Sequence, residues 1–300
     1  MTNHHHSHNS KSWSSNFIYI FTTCLNVIFV IGELIIGILI GSVSLISDAI
    51  HNLGDVLGIV IAFVGSLLSR LKPTKEHTYG LRNTSIIAAF TNALILTVTI
   101  FILIYEVIER FLKPETSLDG GVIAIVAFIG ILINGITAYC FQKNADHDVN
   151  EKGVFLHFLT DTLVSVAVMI GGIAIQLTGI AIIDPIVSLI AIAAIVHAAW
   201  GLLKETWNLI TNGVPENIDE SKVEEFLLSF PQVGQINDLH IWGISTTEAA
   251  LTAHLECNSS LRGETQVIDK ISDGLRDKFQ INHTTIQIDT PKSHHIEPDI

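Results

Sequence analysis

Charged side chains are scarce in this chain. Of its 300 residues, 15% are Asp, Glu, Lys or Arg and 49% are hydrophobic, and the mean hydropathy is +0.50. Because soluble domains average about 25% charged residues, this composition argues against a soluble globular protein. Cysteine is scarce too. Cys24, Cys140 and Cys257 show no CxxC spacing, which argues against a disulfide framework and against a thiolate metal site.

Two further absences narrow the range of functions. The HExxH motif, in which two histidines hold zinc beside a glutamate base, does not occur in the sequence. Basic residues are few, with 16 Lys and Arg against 29 Asp and Glu, and they form no patch able to neutralise phosphates. The sequence therefore predicts neither a zinc hydrolase of the common type nor a nucleic-acid-binding protein.

Long hydrophobic runs are abundant. Each has close to or more than the ~20 residues that a helix needs to cross a bilayer, and no soluble core needs six helices that are apolar nearly all round. The fold class predicted for this region is an all-α bundle of six transmembrane helices in the cell membrane. The runs cover residues 17–40, 44–69, 84–108, 120–141, 154–178 and 181–203.

Lys and Arg are concentrated in alternate connections between these runs. Four lie between the second and third runs, at Arg70, Lys72, Lys75 and Arg82, whereas the third–fourth turn has only Arg110 and Lys113. By the positive-inside rule, this distribution predicts that both termini are cytoplasmic.

The chain changes character near residue 208. Residues 208–300 contain 15 Asp and Glu against 6 Lys and Arg, which predicts a small acidic cytoplasmic domain. Helical stripes at 219–230 and 264–279, with alternating strands at 236–243, 249–257 and 284–290, give an αββαβ order. The predicted segments are a His-bearing tail at 1–16, the helical domain at 17–207, the αββαβ domain at 208–290 and a tail at 291–300.

Histidine and aspartate recur at helical spacing inside two of the apolar runs. Asp48, His51 and Asp55 form one stripe of a helix at i, i+3 and i+7, and His157 and Asp161 share a face of another at i, i+4. A charged residue at mid-membrane costs about 2.5–3.5 kcal/mol, and the centres of the runs contain no Lys or Arg to pair with it.

A cation or protons are the partners that remain. Two imidazoles and two carboxylates make a plausible tetrahedral shell for Zn²⁺, whereas Mg²⁺ and Ca²⁺ prefer oxygen ligands alone. The same ligands also accept Co²⁺, Cd²⁺, Ni²⁺ and Fe²⁺, so the ligand set does not exclude these cations. The alternative interpretation is ordinary polar packing between helices.

Several segments together resemble one known family. SDAIHNLGD, HTYGLRN, GVFLHFLTD, DPIVSLI, WGLLKETWNLI and DLHIWGI are similar to segments of the cation diffusion facilitators, from about residue 17 to 290. The resemblance implies a six-helix metal–proton antiporter, usually a homodimer, with a ferredoxin-like (metallochaperone-like) α+β cytoplasmic domain. It also implies a transport site at His51, Asp55, His157 and Asp161. Asp48, in phase with His51 and Asp55 on the helix, is predicted as an accessory residue.

A second candidate site lies in the cytoplasmic domain. Strand alternation places His240, His254, His283 and Asp289 on one polar sheet face, and the resembled family has metal sites in this region. The sequence thus suggests a structural or regulatory zinc ion there. Solvated surface histidines are the alternative.

The expected function is export of Zn²⁺ in exchange for protons, with Cd²⁺ and Co²⁺ as further substrates left open. Zinc is then cargo and not a resident cofactor, and the protein is not an enzyme. The expected partners are divalent cations, protons, the lipid bilayer and a second copy of the chain, and nucleic acid is excluded. Two alternatives remain: a membrane-tethered metal sensor that uses the cytoplasmic domain, and an intramembrane metallohydrolase.

Overall fold

Long helices fill the first two-thirds of the chain. A computed structural model describes residues 15–40, 43–112, 120–178, 183–257 and 264–289. Within these ranges, long helices coincide with the six predicted apolar runs. They are α1 (Ser15–Ile40), α2 (Val43–Ser69), α3 (Thr84–Leu112), α4 (Gly120–Ala145), α5 (Val149–Thr178) and α6 (Ile183–Ile210).

Three segments of the described helices are long and apolar enough to cross a membrane. These segments are Ser15–Ile36 in α1, Asn52–Ser69 in α2 and Thr84–Glu109 in α3. Large apolar side chains are exposed along them, including Ile28, Leu57 and Phe101, as expected where the surrounding solvent is lipid.

α5 begins earlier than the hydrophobic pattern predicts. The apolar run starts at residue 154, but the helix starts at Val149, because Asp148 caps it. The Asp148 carboxylate accepts a hydrogen bond from the Asn150 backbone N–H at 2.9 Å, and its carbonyl accepts one from the Lys152 N–H at 2.8 Å. The first turn of α5 is therefore polar in sequence and helical in structure.

The chain divides into two compact units, which are described separately. The first contains the described residues up to Phe63, together with Ile104–Lys143 and Val154–Ile192. Its core includes an aromatic cluster in which the Tyr19 ring lies 5.2 Å from Phe63 and 4.9 Å from Phe141, centroid to centroid. A polar contact also joins two of its helices, because Asn26 of α1 donates a hydrogen bond to Thr137 Oγ1 of α4 at 2.9 Å.

The second unit contains Val64–Leu103, Asn144–Gly153 and the described residues from Ala193 onward. It includes α7 (Glu220–Leu228), β1 (Val233–Gly243), β2 (Ala249–Cys257), α8 (Glu264–Phe279) and β3 (Ile281–Asp289), so the αββαβ element order is as predicted. The strand order in the sheet is β1-β2-β3, with β1 antiparallel and β3 parallel to β2.

Both helices pack on one face of this sheet. The predicted stripes reach the core, where Val223 and Leu227 of α7 and Ile271 and Leu275 of α8 are fully buried. They meet alternate residues of β2, at Leu251, Ala253 and Leu255. The opposite face of β2 therefore presents Thr252 and His254, which are half-buried.

Candidate metal site

Three of the predicted ligands meet in the first unit. His157 Nε2 of α5 lies 2.6 Å from Asp55 Oδ1 of α2 and 3.6 Å from Asp161 Oδ2, one turn further along α5. One ligand atom from each of the three side chains can be chosen so that all lie within 4.8 Å of one another. Two helices separated by about a hundred residues of sequence thus bring an imidazole and two carboxylates together.

The helical spacing explains half of this arrangement. His157 and Asp161 are four residues apart in α5, so their side chains lie one above the other on the same face. Asp55 lies in the middle of α2, on a stripe where Asn52, Val56 and Ile59 are also buried. Both stripes face the interior of the unit, and their ligands consequently face each other.

The cluster is buried. The side chains of His157, Asp55 and Asp161 are only 8%, 4% and 8% exposed. α1 and α2 contain no Lys or Arg, and Lys152, the single basic residue of α5, is 2.5 Å from Glu205. Among the described residues, Asp55 Oδ2 has no hydrogen-bond partner. Because a buried ionised carboxylate is strongly penalised without a counter-charge, this geometry favours a bound cation or bound protons.

His51 and Asp48 also lie in α2, one and about two turns before Asp55. Both side chains lie outside the described residues, so the predicted fourth ligand and the accessory carboxylate are located only by their helix positions.

A polar pair close to the site in sequence was not predicted as a contact. Asn52, next to His51, donates a hydrogen bond from Nδ2 to Glu33 Oε2 of α1 at 2.8 Å, and both residues are buried. The signal in the sequence is the presence of two polar residues within apolar runs. Their pairing depends on how α1 packs against α2, which periodicity alone does not specify.

The cytoplasmic candidates are only partly brought together. His254 Nδ1 lies 3.6 Å from Asp289 Oδ2, and the sheet register aligns His254 with Asp238 on β1 and with Gln287 on β3. Asp289 is buried and accepts hydrogen bonds from Asn237 at 3.0 Å and Gln287 at 3.1 Å.

The other two histidines of this face have different neighbours. His240 Nε2 lies 2.9 Å from Asp238 Oδ1, and its side chain is 65% exposed. The His283 ring packs edge-on against Tyr79, with 5.7 Å between centroids. Among the described residues of this domain, no three His, Cys, Asp or Glu side chains place ligand atoms within 4.8 Å of one another.

Comparison with known proteins covers almost the entire chain. Residues 19–210 match the family described as the cation efflux transmembrane domain, and residues 215–291 match the cation efflux protein cytoplasmic domain. The metal cation efflux system protein CzcD of Cupriavidus metallidurans is 32% identical over 95% of this chain and 89% of its own length.

Two further relatives are similar over comparable lengths. The zinc transporter ZitB of Escherichia coli is 30% identical over 97% of this chain and 94% of its own length. The cadmium, cobalt and zinc/H(+)-K(+) antiporter of Bacillus subtilis is 31% identical over 98% and 93%, respectively. Because the two family models match its transmembrane and cytoplasmic domains in turn and the relatives are similar over nearly its whole length, the chain belongs to the cation diffusion facilitator family of metal cation transporters and is not an enzyme.

Proposed function

We propose that this protein is a secondary active transporter that exports Zn²⁺ from the cytoplasm in exchange for protons. The observation that carries the proposal is the cluster of Asp55, His157 and Asp161, buried within the helical region of a cation efflux protein. Its donor set of one imidazole nitrogen and two carboxylate sites suits Zn²⁺. Two relatives, one named as a zinc transporter and the other as a cadmium, cobalt and zinc antiporter, support the same class of cargo.

The full transport site in this proposal has four ligands: His51, Asp55, His157 and Asp161. His51 stands one turn before Asp55 on α2, as His157 stands one turn before Asp161 on α5. Each helix thus contributes one imidazole and one carboxylate, and the four complete a tetrahedral shell. Cd²⁺ and Co²⁺ accept similar donors and are proposed as additional substrates.

Proton exchange follows from the chemistry of the imidazoles. Histidine has an ordinary pKa of about 6.5, so protons and Zn²⁺ compete for the same nitrogens near neutral pH. His157 is hydrogen-bonded to Asp55 at 2.6 Å, and a cation that takes both ligands must displace that contact. An affinity near micromolar, about 8 kcal/mol, allows the site to load and to release in each cycle.

The proposed topology has six membrane crossings with both termini in the cytoplasm of a cell-membrane protein. Because the ligands come from only two helices, α2 and α5, a rigid-body tilt can change the side to which the site opens without separating ligands on the same helix.

The cytoplasmic domain is proposed to adopt a ferredoxin-like, metallochaperone-like fold and to join two copies of the chain into a homodimer. A structural or regulatory zinc ion at His240, His254, His283 and Asp289 is part of the same proposal. His254 and Asp289 already lie close together. For His240 to join them at a shared ion, its imidazole must leave Asp238.

Uptake by proteoliposomes tests the function directly. The full chain is reconstituted into vesicles containing a zinc-sensitive dye, and a pH gradient of either sign is imposed before Zn²⁺ is added. We expect Zn²⁺ accumulation driven by the opposite flow of protons, and Zn²⁺-induced proton movement when the metal gradient is imposed instead.

Two controls separate this function from its alternatives. Vesicles without protein give the background rate of Zn²⁺ uptake. Vesicles treated with a protonophore give the rate that does not depend on the pH gradient. Uptake that is unaffected by the protonophore would contradict proton exchange. Absence of uptake, together with a Zn²⁺-dependent conformational response of residues 208–300, would favour the membrane-tethered sensor.

A further inference from the structure

A hydrogen bond between two buried side chains joins α1 to α2 in the first unit. Asn52 donates from Nδ2 to Glu33 Oε2 at 2.8 Å, and the two residues are only 8% and 2% exposed. Hydrogen bonds to a carboxylate are among the stronger ones in proteins, and breaking one away from water leaves a buried polar group unsatisfied. The contact therefore resists both sliding and rotation of α1 against α2 at this level of the fold.

Asn52 belongs to the part of α2 that carries proposed ligands. It follows His51 directly in the chain and precedes Asp55 by three residues, so Asn52 and Asp55 lie on the same side of the helix, and both are buried. Asp55 Oδ1 in turn lies 2.6 Å from His157 Nε2 of α5. A movement of α2 that breaks the contact with Glu33 therefore also moves Asp55 relative to the imidazole.

A second buried contact of the same kind joins α1 to a different helix. Asn26 donates from Nδ2 to Thr137 Oγ1 of α4 at 2.9 Å, and it is 3% exposed. Asn26 precedes Glu33 by seven residues, so the two lie on the same side of α1, about 10 Å apart along its axis. α4 contains none of the four proposed ligands, whereas α2 contains two. The two contacts are thus matched in burial and length but differ in the helix that they hold.

We propose that Glu33 is a positioning residue of the transport site, which acts through Asn52 to hold the α2 ligands His51 and Asp55 against α5. The inference rests on the proposed transport function and extends it to α1, a helix that supplies no ligand. Ligands on two helices form a metal site only when the helices keep their relative placement, so the contact contributes to Zn²⁺ affinity. Loss of a residue behind the ligands typically weakens metal binding 10–100-fold, and we expect about tenfold for this indirect contact.

Variants of the full chain test this inference in the uptake assay, with thermal unfolding in detergent as a second measurement. Glu33→Leu and Asn52→Leu each remove one side of the contact, and each should raise the Zn²⁺ concentration for half-maximal uptake about tenfold. The double variant should raise it no further than either single variant, because residues that act through one contact are not additive. Glu33→Gln keeps an acceptor oxygen at the same position. Because a neutral hydrogen bond is about half as strong, its shift should be only about threefold.

An exchange of roles tests the same contact without apolar substitutions. Asn52→Asp sets two carboxylates against each other and should weaken Zn²⁺ uptake. Addition of Glu33→Gln to that variant restores an amide–carboxylate pair of the same total length, with donor and acceptor exchanged, and should recover the half-maximal concentration of the unmodified protein to within about threefold.

Asn26→Leu is the matched control. It breaks the contact between α1 and α4, so Tm should fall while the Zn²⁺ concentration for half-maximal uptake stays unchanged. This contrast separates a contact that positions ligands from one that only joins helices.

The outcomes are distinct. Unchanged half-maximal concentrations in both leucine variants overturn the inference, whatever happens to Tm, and so does a double variant whose shift is the product of the two single shifts. Glu33→Gln that is as weak as Glu33→Leu also overturns it, because the charge of Glu33 and not its contact would then act on the cation. If the leucine variants do not fold, recovery or its absence in the exchanged pair decides. Absence of uptake by the unmodified protein contradicts the proposed function instead.

Discussion

Histidine and aspartate meet in two regions of this chain, and their surroundings differ. In the helical region, His157 and Asp55 lie 2.6 Å apart with both side chains nearly inaccessible to solvent. In the cytoplasmic domain, His240 and Asp238 lie at a similar 2.9 Å, but their side chains are 65% and 43% exposed. The same pair of residue types at similar distances therefore has different energetic consequences, because water solvates one pair and not the other.

The two pairs differ in how the cost of removing their charges from water is offset. An exposed ion pair contributes about 0–1 kcal/mol to folding stability, because water and salt screen it and water hydrates each side chain without its partner. A buried pair pays a desolvation penalty and needs further ligands or a cation to offset it. His254 and Asp289 are intermediate, because the carboxylate is buried and hydrogen-bonded while the imidazole is partly exposed. The predictions below test whether burial controls the function of each pair.

Removal of one buried carboxylate should have the largest effect. Asp161→Ala takes away a proposed ligand but little packing volume, so we expect Zn²⁺ uptake to fall to the vesicle background, a loss greater than the roughly 10–100-fold typical of outer-shell partners. Circular dichroism and size-exclusion chromatography should be unchanged. Asp277→Ala, at an exposed position of α8, is the control. Wild-type uptake by a folded Asp161→Ala protein would refute the site.

Replacement of an imidazole by a carboxylate should alter selectivity more than rate. His51→Asp leaves one imidazole and three carboxylates, a shell that accommodates larger cations such as Cd²⁺ or Mn²⁺. The pH of half-maximal uptake should also move downward, because a carboxyl replaces a group with an ordinary pKa near ~6.5. Zn²⁺ and Cd²⁺ uptake from about pH 6 to 8 measures both effects. A selectivity and pH profile equal to those of the unmodified protein would place His51 outside the shell.

Disruption of the partly buried pair, His254 and Asp289, should have an effect on Zn²⁺ binding of intermediate size. In a background of Asp161→Ala, which removes a ligand of the proposed transport site, His254→Ala should weaken residual Zn²⁺ binding about tenfold, the range seen for loss of a metal-supporting residue. Calorimetry on the full chain measures the affinity, and His147→Ala in an exposed loop is the control. Identical stoichiometry and affinity would assign His254 to the solvated surface of the sheet.

The smallest effect is expected at an exposed helix cap. A hydrogen bond from the Lys222 side chain, 3.3 Å away, together with one from its backbone N–H, lowers the pKa of Asp219, the N-cap of α7. A lowered pKa in the folded state means that the ionised carboxylate stabilises α7 at neutral pH. This stabilisation is lost as pH falls below the usual range of a carboxyl group and through the lowered value.

Asp219→Asn isolates that charge, because asparagine caps helices about as well as aspartate. The difference in proteolytic resistance of Glu220–Leu228 between the two proteins should shrink as the pH is lowered from neutral. A difference that stays constant down to acidic pH would show that the charge contributes nothing.

The sequence alone determined which residues share a face. The period of the α-helix places His157 and Asp161 together, and strand alternation places His254 and Asp289 on the polar side of the sheet, where the structure has them. It also determined the αββαβ element order and the apolar runs that become α1 to α6, because hydrophobic periodicity is a local property of the chain.

Only the tertiary structure decided which faces meet. Helices that are apolar on most sides give no signal of their neighbours, so the approach of Asp55 to His157, and of Glu33 to Asn52, depends on packing between distant segments. Packing likewise left Asn92 without a partner while it satisfied Asn26, although the sequence shows the same residue in a similar apolar run. Burial is a property of the assembled fold, and it is what separates the His157–Asp55 pair, which water does not solvate, from the His240–Asp238 pair, which it does.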